Sequence, residues 1–105
     1  MTKTKLSFAC TGEGTSPGQN FHRIKVVIYD LKNDLYEGIM THEKGSDQGS
    51  YDQVWFSKSY RYRCDDLEEI EDGLMEYNVD FPGKRAAIRS AVYDAQDKAA
   101  ETETT

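Results

Sequence analysis

The sequence predicts an α+β fold in which a four-stranded antiparallel meander is followed by two helices packed on one face of the sheet (ββββαα). Two observations lead to this prediction. Residues 3–63 contain four runs in which apolar and polar side chains alternate with a period of two, which is typical of strands. After Cys64 the apolar period changes to three and four, which is typical of amphipathic helices. An antiparallel sheet can bury one face and leave the other in water, and the two helices would cover the buried face.

The first two strands are expected over residues 3–10 and 21–30. One face of the first strand carries Leu6, Phe8 and Cys10, and the other carries Lys5, Ser7 and Ala9. One face of the second strand carries Ile24, Val26 and Ile28, and the other carries Arg23, Lys25, Val27 and Tyr29. Residues 11–20 are rich in Gly, Ser, Thr and Pro, which predicts a flexible loop between the two strands.

The third and fourth strands are expected over residues 35–42 and 51–63. Residues 31–34 contain the Lys-Asn-Asp material of a hairpin turn. Gly38 weakens the third strand and is expected to mark a β-bulge. A second polar loop is expected over residues 42–50, and the fourth strand is expected to bend near Lys58 and Ser59.

The two helices are predicted from apolar stripes. The first stripe begins after Asp65 or Asp66, either of which is a suitable N-cap, and consists of Leu67, Ile70, Leu74 and Tyr77. Residues 78–81 end this helix. The second helix is expected from Pro82 to about residue 99, because proline suits a first helical turn. Its apolar face carries Ile88, Ala91, Val92 and Ala95.

Length and charge narrow the class of protein. A chain of 105 residues fits a single domain, here with an ordered core over about residues 4–99 and a frayed acidic tail over residues 100–105. The net charge of −6 argues against nonspecific binding to duplex DNA. The sequence shows no signal peptide and no apolar run long enough for a membrane span, so a cytoplasmic location is expected. Cys10 and Cys64 are then expected to be free, buried thiols.

The first candidate site is the acidic helix. Residues 64–81 contain eight acids and no base. An ordinary polar helix face mixes signs, because Glu–Lys pairs at i, i+4 stabilise a helix and like charges destabilise it. The pattern therefore predicts a surface that binds a protein partner with a basic surface, with an ordinary polar helix face as the alternative. The residues assigned to it are Asp65, Asp66, Glu68, Glu69, Glu71, Asp72 and Glu76.

The second candidate site is the sheet face directed away from the helices. Cations that follow phosphates and rings that stack on bases are what single-stranded nucleic acid binding needs. The residues expected on this face are Arg23, Lys25, Tyr29, Trp55, Arg61 and Arg63, whereas Lys58 falls on the opposite side. The same face could also be an ordinary solvated surface, or form a homodimer around Tyr29 and Trp55.

Catalytic, metal and cofactor sites are not predicted. The glycine-rich segment 12–18 lacks the Gly-Lys-Ser/Thr of a phosphate loop and leads into a strand. The four potential zinc ligands have no zinc-site spacing, and nothing in the sequence places a histidine next to Cys64 to activate it. These ligands are Cys10, His22, His42 and Cys64.

The sequence therefore predicts a small, non-catalytic acidic protein that binds and inhibits or regulates a basic, nucleic-acid-handling partner. Small acidic domains without catalytic residues are typical of phage and mobile-element inhibitors of host defence, which is an analogy of composition alone. The alternative function is single-stranded nucleic acid binding on the open sheet face.

Overall fold

The computed structural model describes residues 3–13 and 18–103. The elements follow in the order β1 (Thr4–Glu13), β2 (Asn20–Lys32), β3 (Leu35–Asp47), β4 (Asp52–Cys64), α1 (Leu67–Met75) and α2 (Lys84–Glu103). The four strands form one antiparallel sheet in sequence order. Helix α1 packs on β3 and β4, and α2 packs on β1 and β2. The predicted fold class is confirmed, and the tip of the first expected loop, residues 14–17, lies outside the described residues.

The core lies between the helices and the sheet face that they cover, which we call the inner face. Four elements, β2, β3, α1 and α2, supply its fully buried side chains, and burial of each methylene group contributes about 0.8 kcal/mol. The burial of Ile24, Val26 and Ile28 on β2 and the apolar stripes of both helices are thereby confirmed, except for Tyr77, which lies beyond the end of α1 at Met75. The side chains with no accessible surface are Ile24, Val26, Ile28, Met40, Ile70, Leu74, Ile88, Ala91 and Ala95. Within the described ranges, no helix is both long enough and apolar enough to cross a bilayer.

The predicted faces of β1 are wrong beyond Leu6. An irregularity in the pairing with β2 makes Leu6 an extra residue, and such a bulge reverses the alternation that follows it. Ser7 is consequently buried and its Oγ donates a hydrogen bond to the carbonyl of Ala91 at 2.7 Å. Phe8 and Cys10, both predicted to face the core, are exposed instead.

Strand β3 is longer than predicted. The β2–β3 hairpin turns through Asn33 and Asp34, whose φ angles of 57° and 61° fit a tight two-residue turn. From there β3 continues to Asp47, so the loop expected over residues 42–50 is wrong up to that residue and is limited to the connection between Asp47 and Asp52. Residues 42–46, which are mostly polar, pair with β2 on one side and with β4 on the other. The backbone hydrogen bonds of a central strand outweigh the weak strand propensity of its side chains.

Strand β4 forms one edge of the sheet and is irregular at Trp55, not at Lys58 and Ser59 as expected. Its register with β3 passes from Lys44–Phe56 to Gly45–Val54, so Trp55 is the extra residue. Residues 51–59 are all exposed, whereas the second half of the strand packs against α1. The inner face of the sheet therefore extends beyond the helices at this end.

The helix boundaries depend on three local features. The carboxylate of Asp66 accepts a hydrogen bond from the backbone N–H of Glu68 at 3.0 Å, which confirms the predicted N-cap. Helix α2 begins at Lys84 and not at Pro82, because Gly83 has a φ of 84°, which is outside the helical region. The helix continues to Glu103, beyond residue 99, where it was expected to end. Alanine and glutamate are strong helix formers at these positions.

Lys84 holds the end of α1 against the start of α2. Its side chain is buried, and Nζ donates hydrogen bonds to the carbonyls of Tyr77 at 2.6 Å and Met75 at 3.3 Å. A cation is favourable at this position because the carbonyls at a helix C-terminus carry partial negative charge. Burial and the neighbouring Arg85 lower the pKa of Lys84.

Two glycines allow α1 to lie directly on the sheet. Gly38 keeps regular pairing and does not mark a bulge. A Cβ atom at Gly38 would lie 2.6 Å from Cγ2 of Ile70 and 3.1 Å from Cδ1 of Leu74. On the helix side, a Cβ atom at Gly73 would lie 2.3 Å from the ring of Tyr62. The absence of both side chains therefore sets the distance between α1 and strands β3 and β4.

Gly38→Ala is expected to lower the free energy of unfolding by about 2 kcal/mol, since an added methyl group overpacks this contact. Urea unfolding measures the loss. Ile70→Ala removes the Cγ2 atom, so the double variant should lose less than the sum of the two single losses. Additive losses would contradict the contact. The control Ser57→Ala, at an exposed position of β4, should change stability by less than about 0.5 kcal/mol.

Candidate functional site

The seven acids predicted as a binding surface lie in α1 or within two residues of its ends, and two of them hold the protein's own structure. Asp66 is the N-cap of the helix. Glu71 accepts hydrogen bonds from Arg85 at 2.8 Å and from Arg89 at 2.9 and 3.1 Å. The bonds from Arg89 and Arg85 lower the pKa of the Glu71 carboxyl, despite an opposing effect of burial. Its charge therefore joins α1 to α2 and is neutralised within the molecule.

Three other acids form a continuous stripe, which we call the acidic ridge: Glu69, Asp72 and Glu76. Their spacing of three and four residues places them on one side of α1 over about 10 Å. All three are exposed, and none of them forms an ion pair within the described part of the chain. With Tyr62 and Gly73 they line a shallow groove of about 150 Å³.

The groove combines negative charge with an aromatic ring. Tyr62 is half-buried against the backbone of Gly73. Its burial raises the pKa of the phenol, and the carboxylates of the ridge add to this effect. Tyr62 therefore stays protonated at neutral pH and can donate a hydrogen bond as well as offer a ring face to a ligand.

Negative charge continues around the start of α1. A cleft of about 410 Å³ between the start of α1 and the end of α2 is lined in part by Asp65, Asp66, Glu68 and Gln96. Asp65 and Glu68 are exposed and have no ion pair in the described ranges. We call the ridge together with Asp65 and Glu68 the acidic surface. Of the seven predicted acids, it retains the five whose side chains hold neither a helix cap nor an ion pair.

The opposite sheet face, which we call the outer face, carries the predicted cations together with two acids that the sequence analysis did not assign to it. Glu37 is 1% exposed, and its carboxylate lies 2.8 Å from Nε of Arg63 and 3.8 Å from Nη1 of Arg61. Nζ of Lys3 lies 3.9 Å from the same carboxylate. Removing the partners of a buried carboxylate costs several kcal/mol, so these cations are held in place.

Nearer the other end of the sheet, Glu43 is the carboxylate that forms ion pairs with outer-face cations. It accepts a hydrogen bond from Nε of Arg23 at 2.7 Å, and Nζ of Lys25 lies 3.2 Å away. Arg23 also contacts Asp52 at 3.1 Å. All four cations predicted to bind phosphates therefore have a carboxylate within 4 Å. A nucleic acid on the outer face would have to compete with these carboxylates.

The sequence pattern that would have placed both acids on the outer face is the alternation along β3 of Glu37, Ile39, Thr41 and Glu43. Cross-strand register places these residues opposite the outward residues of β2 and β4. Ending the strand at residue 42 removed Glu43 from the expected face. Trp55, predicted on the same face, lies at the β4 bulge and is 56% exposed.

The two cysteines are separated in the fold. Both are free, and they lie on the opposite edge strands β1 and β4, at least about 14 Å apart at ordinary strand spacing. That distance is too large for a disulfide. Cys10 is exposed, contrary to expectation, because of the bulge at Leu6. Burial raises the pKa of the Cys64 thiol, and nearby acids add to this, which is the opposite of what an activated nucleophile needs.

Strand pairing brings together two of the four potential zinc ligands, His22 and His42. Their Nε2 atoms share a hydrogen bond, and Phe81 packs edge-on against His22 with ring centroids 4.6 Å apart. Within residues 3–13 and 18–103, no group of three or more potential ligands could hold a metal. A dication would also be repelled by the positive charges of Lys44 and Lys58.

These histidines belong to a cluster on the inner face beyond the helices. Its other members are exposed side chains of β3 and β4. The ring of Phe56 lies 5.5 Å from that of His42. We call this cluster the distal patch, and its members are His22, His42, Lys44, Phe56 and Lys58.

Comparison with known proteins gives no relative, because the chain matches no known family model, no curated protein and no solved structure. The surfaces themselves therefore have to indicate the function. The acidic surface is exposed and not neutralised, whereas the outer-face cations are paired with carboxylates. The acidic surface is the stronger candidate.

Glu71→Gln tests the assignment of this acid to internal structure. We expect a loss of about 1 kcal/mol at neutral pH, between the values of an exposed ion pair and a charged hydrogen bond. Because folding lowers the pKa of this carboxyl, its contribution is fully present above the ordinary value of 4.5. It disappears as the pH falls through the lowered value, where wild type and variant should unfold alike.

Urea unfolding at neutral and acidic pH measures this difference. The control is Glu68→Gln, an exposed neighbour without an ion pair, which should show little difference at either pH. If Glu71→Gln behaved like Glu68→Gln, the ion pairs of Glu71 with Arg85 and Arg89 would contribute nothing to stability.

Proposed function

We propose that this protein is a non-catalytic interaction protein whose acidic surface binds a basic surface on a nucleic-acid-handling protein and inhibits or regulates it. An anti-defence inhibitor of a phage or mobile element would act in this way. The observation that carries the proposal is the acidic ridge: Glu69, Asp72 and Glu76 line one side of α1 without a base among them.

The ridge opposes helix stability, which favours a role in binding. Like charges at i, i+3 and i, i+4 destabilise a helix by about 0.2–0.5 kcal/mol per pair, and the ridge contains two such pairs. One lysine at the central position would replace both repulsions with attractions. A helix that served only to cover the sheet has no need of three uncompensated acids, whereas a cationic partner would neutralise them on binding.

The groove suits arginine on the partner in particular. A guanidinium group can stack on an aromatic ring and donate paired hydrogen bonds to a carboxylate at the same time. Tyr62 offers the ring, and Glu69 and Asp72 stand beside it. Lysine lacks the planar donor pair and would use only the charge. Arginine-rich surfaces are typical of proteins that hold nucleic acid phosphates.

Inhibition follows if the ridge occupies the surface that phosphates would otherwise occupy. Its carboxylates extend over about 10 Å and project from a rigid helix. The negative field would also accelerate association, and this acceleration would fall with ionic strength because charges are screened over about 8 Å at physiological salt. Partner binding should therefore be salt-sensitive.

The double variant Glu69→Lys/Glu76→Lys reverses the charge of the ridge. Tagged wild type should capture basic proteins from extracts of the native host, and the variant should lose them. The matched control is Asp94→Lys/Asp97→Lys, which changes two exposed acids of α2 and alters the net charge by the same amount. Quantitative mass spectrometry of the captured proteins at several salt concentrations measures the difference.

Equal capture by wild type, ridge variant and control would sink the proposal, as would equal loss in both variants. The regulatory part has its own readout. Wild type should weaken nucleic acid binding by the captured protein at least tenfold in a competition assay, whereas the ridge variant should not. If the captured protein bound nucleic acid equally well with and without the wild type, the acidic surface would bind this partner without inhibiting it, and the regulatory part of the proposal would be wrong.

A further inference from the structure

We propose that the distal patch is a second binding site, separate from the acidic surface, and that its ligand is single-stranded nucleic acid. The sequence analysis looked for such a site on the outer face. The structure brings together cations and an exposed ring on the inner face instead, at the end of the sheet that the helices leave uncovered.

The patch is a compact array across β2, β3 and β4. Register places His22, Lys44 and Phe56 in one row across the three strands. The adjacent row contains His42 and Lys58. With ordinary strand spacing, the four nitrogen-bearing side chains occupy an area of roughly 10 Å by 7 Å. This area is large enough for contact with neighbouring phosphates of one strand.

The lysines of the patch differ from the outer-face cations in having no carboxylate partner. Nζ of Lys44 lies 5.6 Å from the ring centroid of Phe56, and Nζ of Lys58 lies 5.3 Å from that of Tyr60. Neither lysine forms an ion pair in the described part of the chain. Phosphate contact would therefore break no existing salt bridge.

The two lysines give the patch its positive charge, whereas the histidine pair adds little. Burial, followed by the charges of His22 and Lys44, lowers the pKa of His42 and so favours its neutral form. An anion would be attracted by Lys44 and Lys58, whereas a dication would be repelled. The array therefore favours an anionic ligand over a metal ion.

Exposed rings beside the cations favour a nucleic acid over a free phosphate. Phe56 is 40% exposed; Trp55 on the same edge strand is 56% exposed, and Tyr51, directly before the strand, is 62% exposed. Base–aromatic stacking is sequence-tolerant and supplies much of the affinity for single strands. Phosphate alone would have no use for these rings.

Pairing of the β4 edge with another strand explains the same exposed residues less well. A bulge and charged side chains are features that oppose edge-to-edge pairing. Strand β4 has the bulge at Trp55 and three bases after it, at Lys58, Arg61 and Arg63. A second copy of this strand would bring these basic side chains close to one another, whereas a phosphate backbone would be attracted by Lys58, which forms no ion pair in the described ranges.

The test is fluorescence anisotropy of a labelled oligothymidylate of about 12 nucleotides, titrated with the full chain at low ionic strength. Wild type should bind, and the quenching of Trp55, the single tryptophan, should follow the same curve. Lys44→Ala/Lys58→Ala should weaken binding roughly tenfold or more and reduce the slope of log K against log salt by about 1.4, since each phosphate contact to a single strand contributes about 0.7.

Two matched variants and one competitor complete the experiment. Lys5→Ala/Lys98→Ala removes two other exposed lysines that form no ion pair within residues 3–13 and 18–103, and it should leave affinity within about twofold. Lys25→Ala/Arg61→Ala tests the outer face and should have a similarly small effect. Inorganic polyphosphate should compete less well than the oligonucleotide, because it cannot stack on Phe56 or Trp55.

Four results would overturn the proposal. These are the absence of binding at low ionic strength, equal losses in the patch variant and the Lys5/Lys98 control, a loss confined to the outer-face variant, and equal competition by polyphosphate. None of these results bears on capture of a basic protein by the acidic surface, so the two sites are tested independently.

Discussion

The contact between α1 and the sheet at Gly38 and Gly73 determines where the protein presents its charge. Because neither residue has a side chain, the helix lies against β3 and β4 with Ile70 and Leu74 over Gly38. The ring of Tyr62 fits against Gly73 from the sheet side. With the apolar stripe fixed in this way, the acids of α1 have only two directions left. Glu71 faces the arginines of α2 and is neutralised, whereas the ridge lies beside Tyr62 and is not. The acidic groove is therefore a consequence of core packing.

Buried carboxylates impose a comparable constraint on the other side of the sheet. Glu37 is almost inaccessible, so its charge is stable only with Arg63, Arg61 and Lys3 close by. The basic side chains of the outer face are thus structural partners of Glu37 and Glu43, and the face has little free positive charge. The cations without carboxylate partners include Lys44 and Lys58, on the inner face. The number of basic residues therefore does not show which of them can bind a ligand. The ion pairs that they form within the fold decide this.

Sequence patterns succeeded where one physical signal dominated. The alternation in β2, the stripe of Leu67, Ile70 and Leu74, and the cap at Asp66 were all predictable, because burial and capping act over a few neighbouring residues. The bulges at Leu6 and Trp55 were not, since each depends on the partner strand and reverses the faces that follow it. The polar second half of β3 was missed for a similar reason. Its pairing on both sides provides hydrogen bonds that propensity does not reveal. For the candidate sites, the acidic stripe could be predicted from the spacing of its residues. The ion pairs of Glu71 with Arg85 and Arg89, and the contact between His22 and His42, could be seen only in the three-dimensional structure.

The structure places opposite charges at two ends of one face, and their separation decides whether they act together. Lys58 precedes Tyr62 by four residues on β4, which corresponds to about 13 Å along the strand. Screening at physiological salt acts over about 8 Å, so the acidic ridge and the distal patch are electrostatically independent there. Between Lys58 and Tyr62 on this face of β4 lies Tyr60, whose ring packs against that of Tyr77 with centroids 5.0 Å apart. If both proposals hold, one small domain would offer a negative surface to a basic protein and, at a separate place, a positive surface to single-stranded nucleic acid. Because both regions project from the same rigid sheet and helix, contact with one fixes the orientation of the other.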